Sequence, residues 1–318
     1  MKRKQKETGQ DILKTKKLIP EKAITMNKFE ELFKLYNCDS LTDETVKKGV
    51  EDILSKHVDE NKTIEVFKNC FNLIDLTSLH ETDTEAEITA MVEKVNNFEE
   101  NFPDLPNVAA ICIYPSLVSV VKATLTESAG IAAVSAGFPA SQTFLEVKVA
   151  ETSLCVMEGA TEIDVVISVG KFLEGKYEEV FEELSEIKSA CREAHLKVIL
   201  ETGALKTPAN IKKAAVLAMQ AGADFIKTST GKIPVAATPE ASYVMCQAIR
   251  EWNEKNNRKV GYKPAGGIST TEDAVKHFTL VKEILGEEWL NNTLFRFGAS
   301  SLANKLLTSI KGETVNYF

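Results

Sequence analysis

Residues 225–232 read FIKTSTGK, and this stretch decides how the rest of the chain is interpreted. Phe225 and Ile226 lead into Lys227 as a predicted buried strand, and the small polar residues behind it are typical of a loop. Because an unpartnered buried ammonium is costly, burial favours a lowered pKa and a neutral amine. A neutral lysine amine can attack a carbonyl and form a Schiff base. The alternative is a strand lysine that points to solvent and has no chemical role.

A second lysine stands in a comparable run, VGYKPAGG, at residues 260–267. Lys263 follows Lys227 by 263 − 227 = 36 residues, which is the length of one strand–helix–strand unit. The two lysines are therefore predicted to lie at matching heights on neighbouring parallel strands. Two ammonium groups at that separation lower each other's pKa, which favours a reactive amine near neutral pH.

Apolar, β-branched runs recur along the chain with amphipathic helical stretches between them, which is typical of an α/β protein with a parallel sheet. Helices are predicted over residues 178–194, 210–221 and 271–285. Eight strand–helix units in one domain predict a closed TIM (β/α)₈ barrel, whose chemistry lies at the carboxyl ends of the strands. The predicted strands are NLIDLT (72–77), VAAICIYP (108–115), IAAVSAGFP (131–139), EIDVVI (162–167), KVILET (197–202), FIKTST (225–230), VGYKPAGG (260–267) and LFRFGASS (294–301).

Three segments are predicted along the chain. Residues 1–24 form a basic, disordered arm, residues 25–62 a helical extension, and residues 63–318 the barrel. Within the extension, apolar spacing predicts one helix over residues 27–36 and a second from Thr42, as N-cap, to His57. The two helices are expected to pack as a hairpin against the outside of the barrel.

Composition excludes several classes of protein. The net charge of −8 argues against a general nucleic-acid-binding protein, and the chain has neither a membrane-spanning apolar run nor an apolar secretory region. Six cysteines without CxxC spacing indicate reduced thiols in a cytoplasmic protein. Four histidines without HExxH or HxH spacing make a metal site unexpected.

Asp164 interrupts the otherwise apolar strand EIDVVI and is the third informative residue. It is either a solvated strand residue or a carboxylate inside the barrel with a cationic partner. In the second interpretation Asp164 pairs with Lys263, which keeps its proton, while Lys227 has no carboxylate of its own and becomes the nucleophile. Asp164 and Lys263 would then transfer protons to and from the intermediate.

The last two strand ends resemble an anion-binding cradle. Small residues with free backbone N–H groups follow strand seven and strand eight, where barrels of this type bind phosphate. Glycine pairs also make ordinary tight turns, which is the alternative. The residues concerned are Gly266, Gly267, Ile268, Ser269, Gly298, Ala299, Ser300 and Ser301, with Lys232 nearby.

The motifs FIKTSTGK, KPAGG, EIDVV and RFGASS, in this arrangement, closely resemble those of the deoxyribose-phosphate aldolase family of class I, Schiff-base aldolases. The resemblance covers residues 72–307. It implies reversible cleavage of 2-deoxy-D-ribose 5-phosphate to D-glyceraldehyde 3-phosphate and acetaldehyde, without metal or other cofactor. It also implies that Lys227 forms the Schiff base while Asp164 and Lys263 handle protons.

The resemblance further implies which residues contact the substrate. Thr230, Gly231 and Lys232 would meet the sugar and its phosphate, and Tyr317 near the C-terminus would approach the phosphate. The remaining implied contacts are Asp75 and Cys112 along the pocket, and Gly266, Gly267, Gly298, Ser300 and Ser301 around the phosphate.

Two other functions remain open from the sequence. One is another Schiff-base barrel aldolase or transaldolase that acts on a longer sugar phosphate. The other is a barrel with a binding role through its basic arm. The partners expected are a small sugar phosphate and a second copy in a homodimer, with no metal, no membrane and no nucleic acid.

Overall fold

The computed structural model describes residues 21–318 of the chain. Eight parallel strands form one sheet in the order β7-β6-β5-β4-β3-β2-β1-β8. Two isolated parallel bridges, Tyr262 to Phe295 and Ala265 to Gly298, join the β7 and β8 edges, so the sheet curls into a barrel. The strands are β1 (Ile74–Thr77), β2 (Ala110–Ile113), β3 (Gly130–Ser135), β4 (Glu162–Val166), β5 (His195–Ile199), β6 (Phe225–Lys227), β7 (Gly261–Lys263) and β8 (Phe297–Ala299).

Helices surround the sheet. Those that precede β1 are α1 (Glu21–Leu35), α2 (Asp43–His57) and α3 (Ile64–Asn72). Those that follow are α4 (Glu85–Asn96), α5 (Phe98–Asn101), α6 (Val118–Thr124), α7 (Leu145–Met157), α8 (Val169–Leu173), α9 (Tyr177–Cys191), α10 (Thr202–Leu205), α11 (Pro208–Gln220), α12 (Pro239–Asn256), α13 (Thr271–Leu285) and α14 (Leu302–Lys311).

The predicted (β/α)₈ barrel is confirmed, and each of the eight predicted runs overlaps one strand. The strands are short, between 3 and 6 residues, because Thr, Pro and Gly clusters end the ladder soon after each apolar run. The predicted helix over residues 271–285 matches α13 at both ends. Thr270 caps α13, since its side chain accepts a hydrogen bond from the Asp273 N–H.

The N-terminal helices form as predicted but pack differently. Thr42 caps α2 and shares a capping box with Thr45, rather than with the neighbouring Glu44. Helix α1 lies against α9, whereas α2 lies against α12 and α13, so each extends the helical ring instead of pairing in a hairpin. Aromatic contacts explain this placement, because Phe29 and Phe33 of α1 pack on Phe181 and Tyr177 of α9.

The first helix starts earlier than the predicted residues 27–36. Helix α1 begins at Glu21, because Glu21, Lys22 and Ala23 are good helix formers that follow a proline in the sequence. Residues 1–20 of the predicted arm lie outside the described part of the chain. Between residues 21 and 318, no helix is both long enough and apolar enough to cross a bilayer.

Gly261 in β7 allows the ring of Phe225 in β6 to lie directly over the neighbouring strand. A Cβ atom at position 261 would lie 2.3 Å from the Phe225 ring. We expect Gly261→Ala to lower the free energy of unfolding by about 1–3 kcal/mol, because the surrounding core is closed. The measurement is urea unfolding of the wild type and the variant.

Gly170 in α8 provides the matched control, since the nearest atom to its added Cβ would be 3.7 Å away. Gly170→Ala should leave the unfolding midpoint at or slightly above that of the wild type. Equal losses in the two variants would contradict the packing of Phe225 against β7.

Candidate active site

The structure brings the three predicted catalytic residues together inside the barrel. Lys227 ends β6 and Lys263 ends β7, and their Cα atoms are paired in the strand register. Both amines donate to the same oxygen, Asp164 Oδ2 on β4, at 2.7 Å from Lys227 Nζ and 2.8 Å from Lys263 Nζ. The predicted matching heights of the two lysines are therefore observed, and so is the burial of all three side chains.

The expectation that Lys227 lacks a carboxylate of its own is wrong, because Asp164 contacts both lysines. The two amines differ instead in how many carboxylates they contact. Lys263 Nζ also lies 2.5 Å from Asp75 Oδ2 on β1, whereas Lys227 Nζ pairs with Asp164 alone.

The pKa directions follow from this difference. Burial lowers the pKa of Lys227, and the nearby Lys263 ammonium lowers it further against the opposing effect of Asp164. Burial acts in the same sense on Lys263, but Asp164 and Asp75 together hold its pKa well above the usual value. Burial would raise the pKa of Asp164, yet Lys227, Lys263 and Lys197 hold it below its usual range. The site thus pairs an ionised carboxylate with one firmly protonated amine and one amine that releases its proton readily.

Sequence reasoning missed a second layer of charge beneath these residues. Glu162, Lys197 and Arg296 are buried in the barrel interior, where Lys197 and Arg296 each contact both Asp75 and Glu162. Two of them carried a usable signal. Lys197 interrupts an apolar strand as Lys227 does, and Glu162 lies two residues before Asp164, hence on the same face of β4.

A cleft of about 270 Å³ opens above Lys227 at the carboxyl ends of the strands. The structure places most of the predicted substrate-binding residues on its walls. Ile268 and Ser269 of the predicted cradle line it too, and so does Leu79, which the sequence did not single out. The predicted residues found there, besides Lys227, are Thr230, Gly231, Lys232, Gly266, Gly267, Gly298, Ser300 and Ser301.

Glycine at two of these positions has a geometric cause. A Cβ atom at residue 298 would lie 3.0 Å from Lys263 Cε and 2.7 Å from Ala265 Cβ, so Gly298 leaves room for the lysine. Gly266 has a φ of +79° and approaches Gly231 so closely that a Cβ atom would lie 2.9 Å from Gly231 Cα. The loops after β6 and β7 therefore approach each other closely at Gly231 and Gly266, where their backbones line the cleft.

Thr230 and Lys232 are held by partners that the sequence did not reveal. The Thr230 hydroxyl donates to Glu201 Oε2 at 2.6 Å, and the Lys232 N–H donates to Thr230 Oγ1 at 3.0 Å. Lys232 Nζ donates to the Leu79 carbonyl at 2.5 Å, so its amine spans the cleft toward the loop after β1. The sequence does not point to Glu201, because its partner Thr230 lies 29 residues away in the chain.

Three residues implied by the resemblance lie away from the cleft walls. Asp75 is fully buried below the cleft, where its oxygens accept from Lys197, Lys263 and Arg296. Cys112 is also fully buried, and burial raises the pKa of its thiol.

Tyr317 is the third of these residues. Its ring packs on Phe98 and Phe102, and its hydroxyl donates to the Lys94 carbonyl at 2.8 Å. This aromatic cluster holds the C-terminal tail against α4 and α5 on the outside of the barrel, so Tyr317 does not reach the cleft.

Within residues 21–318, one group of side chains lies close enough together to bind a metal ion. It consists of His57, Glu60 and Glu283. It lies on the helical ring around α2 and α13, it is at least partly exposed, and it has no connection with Lys227. The cleft itself holds amines, hydroxyls and backbone amides, which suit an anionic substrate.

Comparison with known proteins places this geometry in a family. The DeoC/LacD family aldolase model matches residues 70–305. The human deoxyribose-phosphate aldolase is 45% identical over 244 residues, covering 73% of this chain and 77% of that protein. The bovine deoxyribose-phosphate aldolase is 44% identical over 241 residues, covering 72% and 76%.

Solved structures agree with the sequence matches. The deoxyribose phosphate aldolase from Aeropyrum pernix, described as a tetramer, aligns with a TM-score of 0.63 and 26% identity over 82% of this chain and 97% of that one. An aldolase named QR15 aligns with a TM-score of 0.61 and 29% identity over 75% and 96%. With a barrel, a lysine pair and a family match across most of its length, this chain belongs to the DeoC/LacD family of aldolases.

Proposed function

We propose that the protein is a class I aldolase that reversibly cleaves 2-deoxy-D-ribose 5-phosphate to D-glyceraldehyde 3-phosphate and acetaldehyde through a Schiff base on Lys227. The observation that carries the proposal is the position of Lys227. Among the four buried cations of the interior cluster (Lys197, Lys227, Lys263 and Arg296), Lys227 alone borders the cleft, and its pKa is lowered by burial and by Lys263. Family membership supports the reaction class.

In the cleavage direction the Lys227 lone pair attacks the aldehyde carbon C1 of the open-chain sugar. The resulting carbinolamine loses water to give a protonated imine. Loss of the C3 hydroxyl proton then lets the C2–C3 bond break, and its electron pair moves into the imine to form an enamine. Glyceraldehyde 3-phosphate leaves with C3 as its aldehyde carbon. Protonation of the enamine at carbon and hydrolysis of the imine release acetaldehyde and restore the amine.

Asp164 and Lys263 are proposed to move the protons of these steps. The pKa of Lys263 is raised, so its ammonium is a donor, and the ionised Asp164 is an acceptor 2.8 Å away. Both side chains are fully buried, whereas Lys227 reaches the cleft. We infer that a water molecule carries the proton between this pair and the substrate carbons.

The phosphate is proposed to bind at the far end of the cleft. Gly266, Gly267 and Gly298 offer backbone without side chains there, and Ser300 and Ser301 lie at the start of α14, where free N–H groups favour an anion.

We propose that the reaction needs neither metal nor organic cofactor, because the protonated imine is itself the electron sink. We also propose a cytoplasmic location. Six cysteines, at residues 38, 70, 112, 155, 191 and 246, are free and buried, which suits a reducing compartment.

A homodimer is proposed as the assembly, with helix α7 at the interface. Phe144, Val147, Leu154 and Met157 are 77%, 49%, 57% and 71% exposed and lie on one face of this helix. Such an apolar stripe on a soluble domain marks a contact surface. A second copy is the simplest partner, since it presents the same stripe in an isologous interface.

The first prediction concerns the nucleophile. Lys227→Leu should abolish both aldol cleavage and the reductive trapping of acetaldehyde by borohydride, because Lys227 is the one buried amine of the interior cluster that borders the cleft. The measurement is the mass of the trapped protein, followed by peptide mapping. Lys232→Leu serves as the control, since it also removes a cleft amine but should still trap at residue 227. Trapping of the Lys227→Leu variant at another lysine would reject the assignment.

The second prediction concerns the phosphate end of the cleft. Ser300→Asp should raise KM for the phosphorylated sugar far more than for free deoxyribose, because it adds a negative charge to the cradle. Ser128→Asp, an exposed change before β3 at the opposite end of the barrel, is the control and should leave both values unchanged. If Ser300→Asp raises both KM values equally, the phosphate does not bind there.

A further inference from the structure

Three buried charged residues beneath the active site have no contact with the cleft. They are Glu162 of β4, Lys197 of β5 and Arg296 just before β8, called here the lower tier. None of them can touch a substrate held against Lys227. Burying three ionised side chains costs free energy unless each is paired with opposite charges. Their presence therefore needs a physical explanation.

We propose that the lower tier is a set of positioning residues that governs the protonation of Lys227 by fixing the net charge sealed inside the barrel. This inference rests on the proposed Schiff-base function and deepens it.

The lower tier is joined to the catalytic residues through Asp75. Arg296 donates to Asp75 Oδ1 at 2.6 Å and to Glu162 Oε1 at 2.8 Å. Lys197 donates to Asp75 Oδ2 at 2.8 Å and also binds the Glu162 carboxylate. Lys263 then shares Asp75 Oδ2, so the tier and the catalytic pair form one continuous network.

Lys197 also acts on Asp164 directly. Its Nζ lies 3.6 Å from Asp164 Oδ1, the oxygen that accepts no hydrogen bond in the structure. The other oxygen of that carboxylate is shared by Lys227 and Lys263. The strength with which Asp164 holds the Lys227 proton therefore depends on the charge of Lys197.

The charges of the network do not balance when every group is ionised. Four cations face three anions, 4 − 3 = +1. Loss of one proton brings the sealed cluster to zero, which is the favoured state in a medium of low dielectric. The cations are Lys197, Lys227, Lys263 and Arg296, and the anions are Asp75, Glu162 and Asp164.

Lys227 is the group that gives up this proton. Lys263, Lys197 and Arg296 each contact at least two carboxylates of the network, whereas Lys227 contacts Asp164 alone. Below Lys227 on the same face of β6 lies Phe225, whose ring is 5.8 Å from Lys197 Nζ and 5.9 Å from the Arg296 guanidinium carbon. The face of this ring favours the cations of the lower tier.

The titratable groups that face Lys227 come from most of the barrel. They include the Cys112 thiol on β2, whose pKa burial raises and which is therefore neutral, while β3 (GIAAVS) carries no titratable group. Glu201, after β5, is engaged by Thr230. The charged groups are Asp75 on β1, Glu162 and Asp164 on β4, Lys197 on β5, Lys263 on β7 and Arg296 before β8.

The test changes the charge of the tier without touching the cleft. Lys197→Met leaves three cations and three anions, so Lys227 keeps its proton. Glu162→Gln raises the imbalance, so Lys227 releases its proton more readily. The double variant restores the original imbalance of one. The readout is the rate of adduct formation with acetaldehyde, trapped by cyanoborohydride at residue 227, between about pH 5 and about pH 10.

We expect the midpoint of this profile to move up by roughly one pH unit in Lys197→Met, down in Glu162→Gln, and back toward the wild type in the double variant. A purely structural role would slow all three variants without moving the midpoints in opposite directions. That result would overturn the proposal. So would a double variant whose midpoint is shifted as far as that of Lys197→Met. If Lys197→Met does not fold, Glu162→Gln decides, and an unmoved or raised midpoint refutes it.

The wild-type protein separates this inference from the function on which it rests. A wild-type chain that traps no acetaldehyde at residue 227 would refute the Schiff-base function and the inference with it. Trapping in the wild type, combined with midpoints that do not follow the charge of the tier, would refute the inference alone.

Discussion

The structure depends on the sharing of one carboxylate oxygen by two amines. Asp164 Oδ2 lies 2.7 Å from Lys227 Nζ and 2.8 Å from Lys263 Nζ in a fully buried position. Two ammonium groups held so close in a sealed interior repel each other, and one carboxylate cannot neutralise both. Asp75 resolves the conflict because it supports Lys263 and not Lys227. Reactivity is thereby assigned to one of two otherwise similar lysines.

The same network joins the strands that close the barrel. Charged side chains from β1, β4, β5, β6 and β7 and from the residue before β8 meet in one cluster, so the site forms only when the sheet is complete. Some groups of this network stabilise the folded state and others destabilise it. The lowered pKa values of Asp75 and Asp164 favour the folded state above the usual carboxyl pKa, and this contribution is lost as the pH falls. The lowered pKa of Lys227 opposes folding below the usual lysine pKa.

Much of the fold and of the active site could be predicted from the sequence, because Lys227, Lys263 and Asp164 each interrupt an apolar strand. The regular alternation of strands and helices predicts that these residues meet inside one barrel. Arg296 also interrupts an apolar run, but its pairing with Glu162 and Asp75 could not be predicted, because these partners lie 134 and 221 residues away in the chain. The expectation that Tyr317 approaches the phosphate is wrong for a related reason. The aromatic cluster that holds the C-terminal tail assembles from distant segments of the chain.

The most direct test of this account is an NMR pH titration of the protein labelled with ¹³C at the lysine ε carbons, with Lys227 assigned from the signal missing in Lys227→Leu. The account predicts that Lys227 titrates below the ordinary lysine pKa of about 10.4, while Lys263 stays protonated beyond that value. A Lys227 signal that titrates at or above the ordinary value, with Lys263 the lower of the two, would contradict it.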